Sequence, residues 1–172
     1  MKKHLLPIAT LLGVALVLTA AVKTDYSHST DFSQFHTYSW AKVEAGNSLW
    51  ADRIKQGIDA QLAGKGWSLV ATGGDAAVAA FGATHNEQTL QTFYDGFPGG
   101  WFWRGFDTTA TTTVENTPVG TLVVDIFDSH TKKLIWRGTA SDVLSEKPEK
   151  NEKKLENSVD DMFKHFPPPS RG

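Results

Sequence analysis

VGTLVVDIFDSHTKKLIWRGTASDV, residues Val119 to Val143, is the stretch on which the architecture turns. Two runs rich in β-branched and aromatic residues, Val119 to Phe127 and Leu134 to Val143, flank a polar connection from Asp128 to Lys133. Branched side chains are stiff at χ1 and pack well on a pleated surface, so two such runs with a polar break between them predict a β-hairpin. Asp128 suits the start of the turn, where its carboxylate caps backbone N–H groups of the connection.

The elements around the hairpin are placed against it. Downstream, Pro148 stands where a helix N-terminus tolerates proline, and Leu155, Val159, Met162, Phe163 and Phe166 mark one apolar helical face that Pro167-Pro168-Pro169 terminates. Upstream, Asn47-Ser48 offers an N-cap, and Trp50, Ile54, Ile58 and Leu62 recur every four residues until Gly64 and Gly66. Two helices are therefore predicted, over about 49–65 and 148–166. Val22 to Tyr26 and Thr37 to Trp40 read as strands separated by a turn at Asp31-Phe32-Ser33, and Trp67 to Ala71 as another strand. The alanine-rich run Asp75 to Thr84 has helical propensity, but glycines bracket and interrupt it, and it reads as a strand buried on both faces. Gln88 to Tyr94 and the threonine-rich Thr108 to Glu115 are two further predicted strands. Strands joined by short turns make a mostly antiparallel sheet, and two single-striped helices cover one of its faces. The expected fold class is α+β, a two-layer sandwich.

The N-terminus has a different character. Lys2 and Lys3 precede an apolar run from Leu5 to Leu18, and Thr19-Ala20-Ala21 supplies small residues before a cleavage point. This is the layout of a secretory signal peptide over residues 1–21, and its apolar run is shorter than the roughly 20 residues of a membrane span. The expected organisation is the leader, one domain over residues 22–166, and a proline-rich tail over 167–172. Loss of residues 1–21 leaves 151 of 172 residues and takes the formal charge from -2 to -4, because Lys2 and Lys3 go with it. A mildly acidic exported chain argues against nucleic acid as a partner. Cysteine is absent, which excludes a disulfide scaffold, a thiolate metal site and a cysteine nucleophile. The expected location is periplasmic or secreted, with association to the envelope.

The most unusual segment is Phe93 to Phe106, FYDGFPGGWFWRGF, which holds seven of the 19 aromatic residues interleaved with glycine. One reading is an exposed aromatic tip, with Phe97, Trp101, Phe102, Trp103 and Arg104 contacting an envelope protein, a glycan or a lipid component. The other is a loop folded back so that its rings cap the sheet face the helices leave open. Catalytic constellations are missing: there is no G-x-S-x-G, no S-x-x-K and no phosphate-binding glycine motif. A glycosidase-like use of Asp125, Asp128 or Glu115 would need a cleft. The histidines, His4, His28, His36, His85, His130 and His165, form no metal-binding spacing, although His28, His36 and Asp31 have room to converge. No cofactor is expected. The mixed-sign run Ser145 to Asn157 reads as the solvated start of the last helix.

Several stretches together resemble bacterial domain-of-unknown-function family 4136. They are VKTDYSHSTDFSQFHTYSW, LWADRIKQGIDAQLAGKGWSLV, TFYDGFPGGWFW, VGTLVVDIFDSHTKKLIWRGTASDVLS and the KHFPP ending, in order over Val22 to Pro168. The resemblance implies an exported cell-envelope domain of α+β type, often a lipoprotein, with no established catalytic residues. Ala20-Ala21 stands here where a lipid-acceptor cysteine would be. The functional expectation is a non-enzymatic binding or interaction domain of the envelope. The alternatives are a structural protein assembling through a sheet edge at Thr108 to Val114, or a cell-wall hydrolase.

Overall fold

The computed structural model describes residues 21–84 and 119–169. In chain order these form β1 (Ala21–Tyr26), a 3-10 turn (Phe32–Gln34), β2 (Thr37–Glu44), α1 (Ser48–Gly64), β3 (Ser68–Leu69), β4 (Ala76–Thr84), β5 (Val119–Asp128), β6 (Leu134–Val143) and α2 (Pro148–Phe163). The strands make one sheet in the order β1-β6-β5-β4-β2-β3. The fold is α+β: a mixed, mostly antiparallel, open sheet with two helices.

The hairpin β5–β6 is the centre of the sheet, with β4 and β1 added antiparallel on either side. Asp128 starts the turn as its chemistry requires. Its Oδ1 accepts from the His130 and Thr131 N–H groups at 2.7 and 3.2 Å, and its Oδ2 from the Thr131 hydroxyl at 2.8 Å. β2 departs from the antiparallel frame by pairing parallel to both β3 and β4. A strand followed by a covering helix returns in the same direction, and α1 makes β2–α1–β3 such a unit. β1 and β2, close in sequence, lie far apart in the sheet, joined through the 3-10 turn that Asp31 caps by accepting from Ser33 N–H at 3.0 Å.

Asn47 caps α1, its Oδ1 accepting from Trp50 N–H at 3.1 Å, and Gly66 (φ 84°) turns the chain out of it. Ile54, Ile58 and Leu62 are the buried face. Removing each such side chain from water stabilises the fold by about 1.5–3 kcal/mol. α2 ends at Phe163, short of the expected 166, because a residue before proline avoids the helical region and Pro167 follows Phe166. The strand expected at Trp67 to Ala71 is only Ser68–Leu69, a short exposed edge, while Trp67 turns into the core.

α1 and α2 lie side by side on one face, over Ala76, Val78, Ala80, Leu122, Val124, Ile126, Trp136 and Ala140. The other face is also withdrawn from water, at Ala77, Ala79, Phe81, Val123, Asp125 and Phe127. β4 is thus buried on both faces along Ala76 to Phe81. Alanine there lets sheet and helices approach closely, which overrides its helical propensity.

The helix-covered layer is closed at one end by rings. Phe35 stacks on Trp67 at 5.8 Å, and Phe166 meets Trp67, Trp136, Phe163 and Phe32 at 5.2, 5.4, 5.4 and 5.9 Å. The opposite end, where β2, β4 and β6 finish and both helices begin, has no such cluster among the described residues.

Candidate functional site

Small residues leave that second end open. Two rows of the sheet register decide it: Gly82–Leu122–Ala140 and, one step outward, Thr84–Gly120–Asp142. These positions face the helices. Three of the six carry no side chain or a methyl group, whereas the row Val78–Ile126–Trp136 toward the other end carries large ones. The result is a cleft of about 210 Å³ between sheet and helices. Its helical walls are Trp50 and Ile54 of α1 with Leu155 and Ser158 of α2. Leu144, just beyond β6, closes one side.

The two glycines make room for the cleft's own walls. A Cβ on Gly82 would stand 2.9 Å from Ile54 Cδ1, and one on Gly120 would stand 2.7 Å from Leu144 Cδ2. The rim is polar and already paired. Lys154 Nζ donates to Asp142 Oδ1 at 3.1 Å and to the Val143 carbonyl at 2.6 Å. Ser145 and Asn151 clasp each other, Ser145 N–H donating to Asn151 Oδ1 at 2.7 Å and Asn151 Nδ2 to the Ser145 carbonyl at 2.8 Å. The rim therefore holds its shape by itself, and the interior offers hydrocarbon rather than charge.

The carboxylates weighed for hydrolysis sit elsewhere. Asp125 is 1% exposed on the face away from the helices. Its two oxygens accept from Arg137 Nε and Nη2, each at 2.6 Å, a bidentate pair within the sheet. Asp128 is committed to its turn. Burial alone would raise its pKa, but the hydrogen bonds from Thr131 and from the His130 and Thr131 N–H groups outweigh this and hold it below the ordinary carboxylate value. Glu115 lies outside the described residues. Among the described residues no three His, Asp or Glu side chains are placed to hold a metal ion. His28 instead packs its ring on Tyr26 at 4.5 Å.

The strongest polar cluster on the helix-covered face is structural in form. Tyr38 Oη and Trp40 Nε1 both donate to Asp59 Oδ1 of α1, at 2.6 and 2.9 Å, tying β2 to the helix above it. Burial first, and this bond second, push the Tyr38 phenol well above its usual range.

Phe97, Trp101, Phe102, Trp103 and Arg104, the sequence-predicted contact residues, lie outside the described residues, as do the strands expected at Gln88 to Tyr94 and Thr108 to Glu115 and the leader up to residue 20. Their segment leaves the sheet at Thr84 and rejoins it at Val119, and Thr84 lines the cleft. The cleft itself was not foreseen. Its signal is the alignment of Gly82, Gly120 and Ala140 across three strands, which becomes visible only with the register.

The sequence pattern of the family described as "Domain of unknown function (DUF4136)" matches residues 22–168. No curated protein matches the chain. Among solved structures, a DUF4136 family protein of Bacteroides thetaiotaomicron superposes with a TM-score of 0.63 at 13% identity, covering 87% of this chain and 96% of its own. A PDZ domain protein of Parabacteroides distasonis gives a TM-score of 0.58 at 14% identity, over 90% of this chain and 37% of that one. At these identities the likeness is one of fold. No helix among the described residues is long and apolar enough to cross a membrane.

Proposed function

The chain belongs to the DUF4136 family, and from that premise we propose that it is an exported, envelope-associated domain that binds rather than catalyses, with the cleft between sheet and helices as its binding site. The observation that carries this reading is the asymmetry of the core. One end of the helix-covered layer is sealed by Phe35, Trp67, Phe163 and Phe166, and the other is left open around Gly82, Gly120 and Ala140. At this end Ile54 and Leu144 occupy the space directly over Gly82 and Gly120, and the cleft remains beside them, a mostly apolar concave site of the kind in which small ligands bind. The mostly apolar lining supports capture of an apolar group, and its one carboxylate and one ammonium, Asp142 and Lys154, are engaged with each other at the rim. Export is supported by the leader read in residues 1–21.

Titration of the nitrogen-labelled domain with anilinonaphthalene sulfonate tests the site. The amide signals of Gly82, Gly120 and Ala140 are expected to shift together and to saturate. Shifts scattered over the surface, or none, would refute the cleft. Export is tested by cell fractionation, where retention of the full-length chain in the cytoplasm would overturn it.

The aromatic segment belongs to a second reading, favoured by its attachment at Thr84 and Val119 beside the cleft. Here Phe97, Trp101, Phe102, Trp103 and Arg104 add a contact surface for the bound partner. Joint replacement Trp101→Ala/Trp103→Ala is then expected to abolish capture of an envelope partner with thermal stability unchanged. A large loss of stability would assign the rings to the core instead.

A further inference from the structure

We propose that the cleft takes the end of one acyl chain of a membrane lipid; this rests on the cleft being the binding site and names what enters it. The interior is hydrocarbon, built from Ile54, Leu122, Ala140, Leu144 and Leu155. The cation at its rim, Lys154, is already taken by Asp142 and the Val143 carbonyl, so a charged group gains nothing by going in. Apolar cavities of about 150 Å³ stay dry and accept benzene, and by the same measure about 210 Å³ has room for roughly eight carbons. An unbranched chain end suits a slot between two layers whose floor is glycine and alanine.

The position of the mouth points to a membrane as the source. Of the three large apolar side chains exposed among the described residues, Leu49 at 65% and Val143 at 43% lie at this end of the molecule, where α1 begins and β6 finishes. The leader joins the domain here as well, because Ala21 stands opposite Ser141 in the β1–β6 ladder. An exporting chain therefore presents the mouth, not the ring-closed end, to the bilayer it leaves. A chain end drawn from the adjacent leaflet passes from one hydrocarbon surrounding to another and reaches the cleft without crossing water.

The test uses tryptophan quenching by phosphatidylcholine vesicles whose acyl chains carry bromine, a contact quencher, with unbrominated vesicles as the reference. Trp50 lines the cleft and is the reporter. Brominated vesicles are expected to quench the exported protein, and Trp50→Phe is expected to remove most of that quenching. Gly120→Leu fills the cleft and is expected to remove the Trp50 quenching by brominated vesicles and to weaken binding of free dibromostearate, taken from water, by about tenfold, the worth of two buried methylenes. Thr84→Phe, at an exposed rim position, serves the same purpose if Gly120→Leu does not fold. Absence of quenching overturns the proposal. So does quenching that survives both Trp50→Phe and the filling variant, since the contact then lies at other tryptophans such as Trp101 and Trp103. Free dibromostearate is the separating arm: if it quenches Trp50 while vesicles do not, the cleft stands as a binding site and the membrane-lipid occupant is wrong.

Discussion

Asp75 shows how much one side chain holds in place at the ring-closed end. Its Oδ2 accepts from His36 N–H at 3.0 Å, from Thr37 N–H at 2.9 Å and from the Thr37 hydroxyl at 2.8 Å, while the Asp75 N–H donates back to that hydroxyl at 3.0 Å. The His36 N–H bond above all, then the two from Thr37, hold the carboxyl below its ordinary value of 3.8. A folded-state pKa depressed in this way stabilises the fold above the unfolded value, and that stability is lost as pH falls through the folded one. Asp75→Asn is therefore expected to cost about 1–2 kcal/mol near neutral pH, and to flatten the loss of melting temperature below about pH 4. Melting curves across that window decide it; an unchanged acid slope would refute the assignment. Asp31, held low by Ser33 and Gln34, and Asp128 supply the slope that remains. The Asp125–Arg137 pair obeys a different rule. It is buried, so Arg137→Met strands a carboxylate that has lost its guanidinium and is expected to cost about 3–5 kcal/mol. Replacing both residues by apolar ones should cost clearly less, a difference that urea denaturation of the two variants measures.

At the scale of elements, α1 begins because Asn47 takes the Trp50 N–H, and Asn47→Ala is expected to cost about 1 kcal/mol. Calorimetry showing no change would mean that burial of Ile54, Ile58 and Leu62 alone sets the start of the helix. Such local devices are what a single sequence displays. Asn47, Pro148 and Asp128 each announce an element boundary through chemistry within four residues, and the β5–β6 hairpin, α1 and α2 were legible for that reason. The alanine run of β4 was legible through its bracketing glycines, against its own propensity. What was hidden depends on partners distant in sequence. Nothing local says that β1 joins β6 rather than β2, a pairing between residues more than a hundred apart, or that β2 runs parallel to β4, which α1 decides by returning over the sheet. The cleft was hidden for the same reason: Gly82, Gly120 and Ala140 look unremarkable alone and form a wall only when the register aligns them. Asp125 and Asp128 are both carboxylates that a hydrolytic reading could pair, yet residues three apart on a strand point to opposite faces, and Asp125 is buried against Arg137.

On the scale of the whole molecule, the two ends of the helix-covered layer should respond differently to the loss of a side chain. Phe166 is 2% exposed and meets four rings, with no open space for its neighbours to exchange against. Phe166→Ala leaves a closed void and is expected to cost about 3–5 kcal/mol. Leu155 borders the cleft and is half-buried, so Leu155→Ala enlarges a space that already exists instead of creating one. Its cost is the lost transfer free energy without the cavity term, about 1–2 kcal/mol. Urea denaturation at matched protein concentration measures both. Equal costs would mean that the cleft closes in solution and that Leu155 sits in core there, which would remove the site along with its ligand. The predicted inequality has a functional side as well. A ligand that enters the cleft binds the folded state alone and stabilises it, so an amphiphile should raise the melting temperature of the wild type and of Phe166→Ala alike. Gly120→Leu, with the space already filled, should show little of that gain. A molecule sealed at one end and open at the other keeps its stability and its binding in separate places, and these three variants read the two apart.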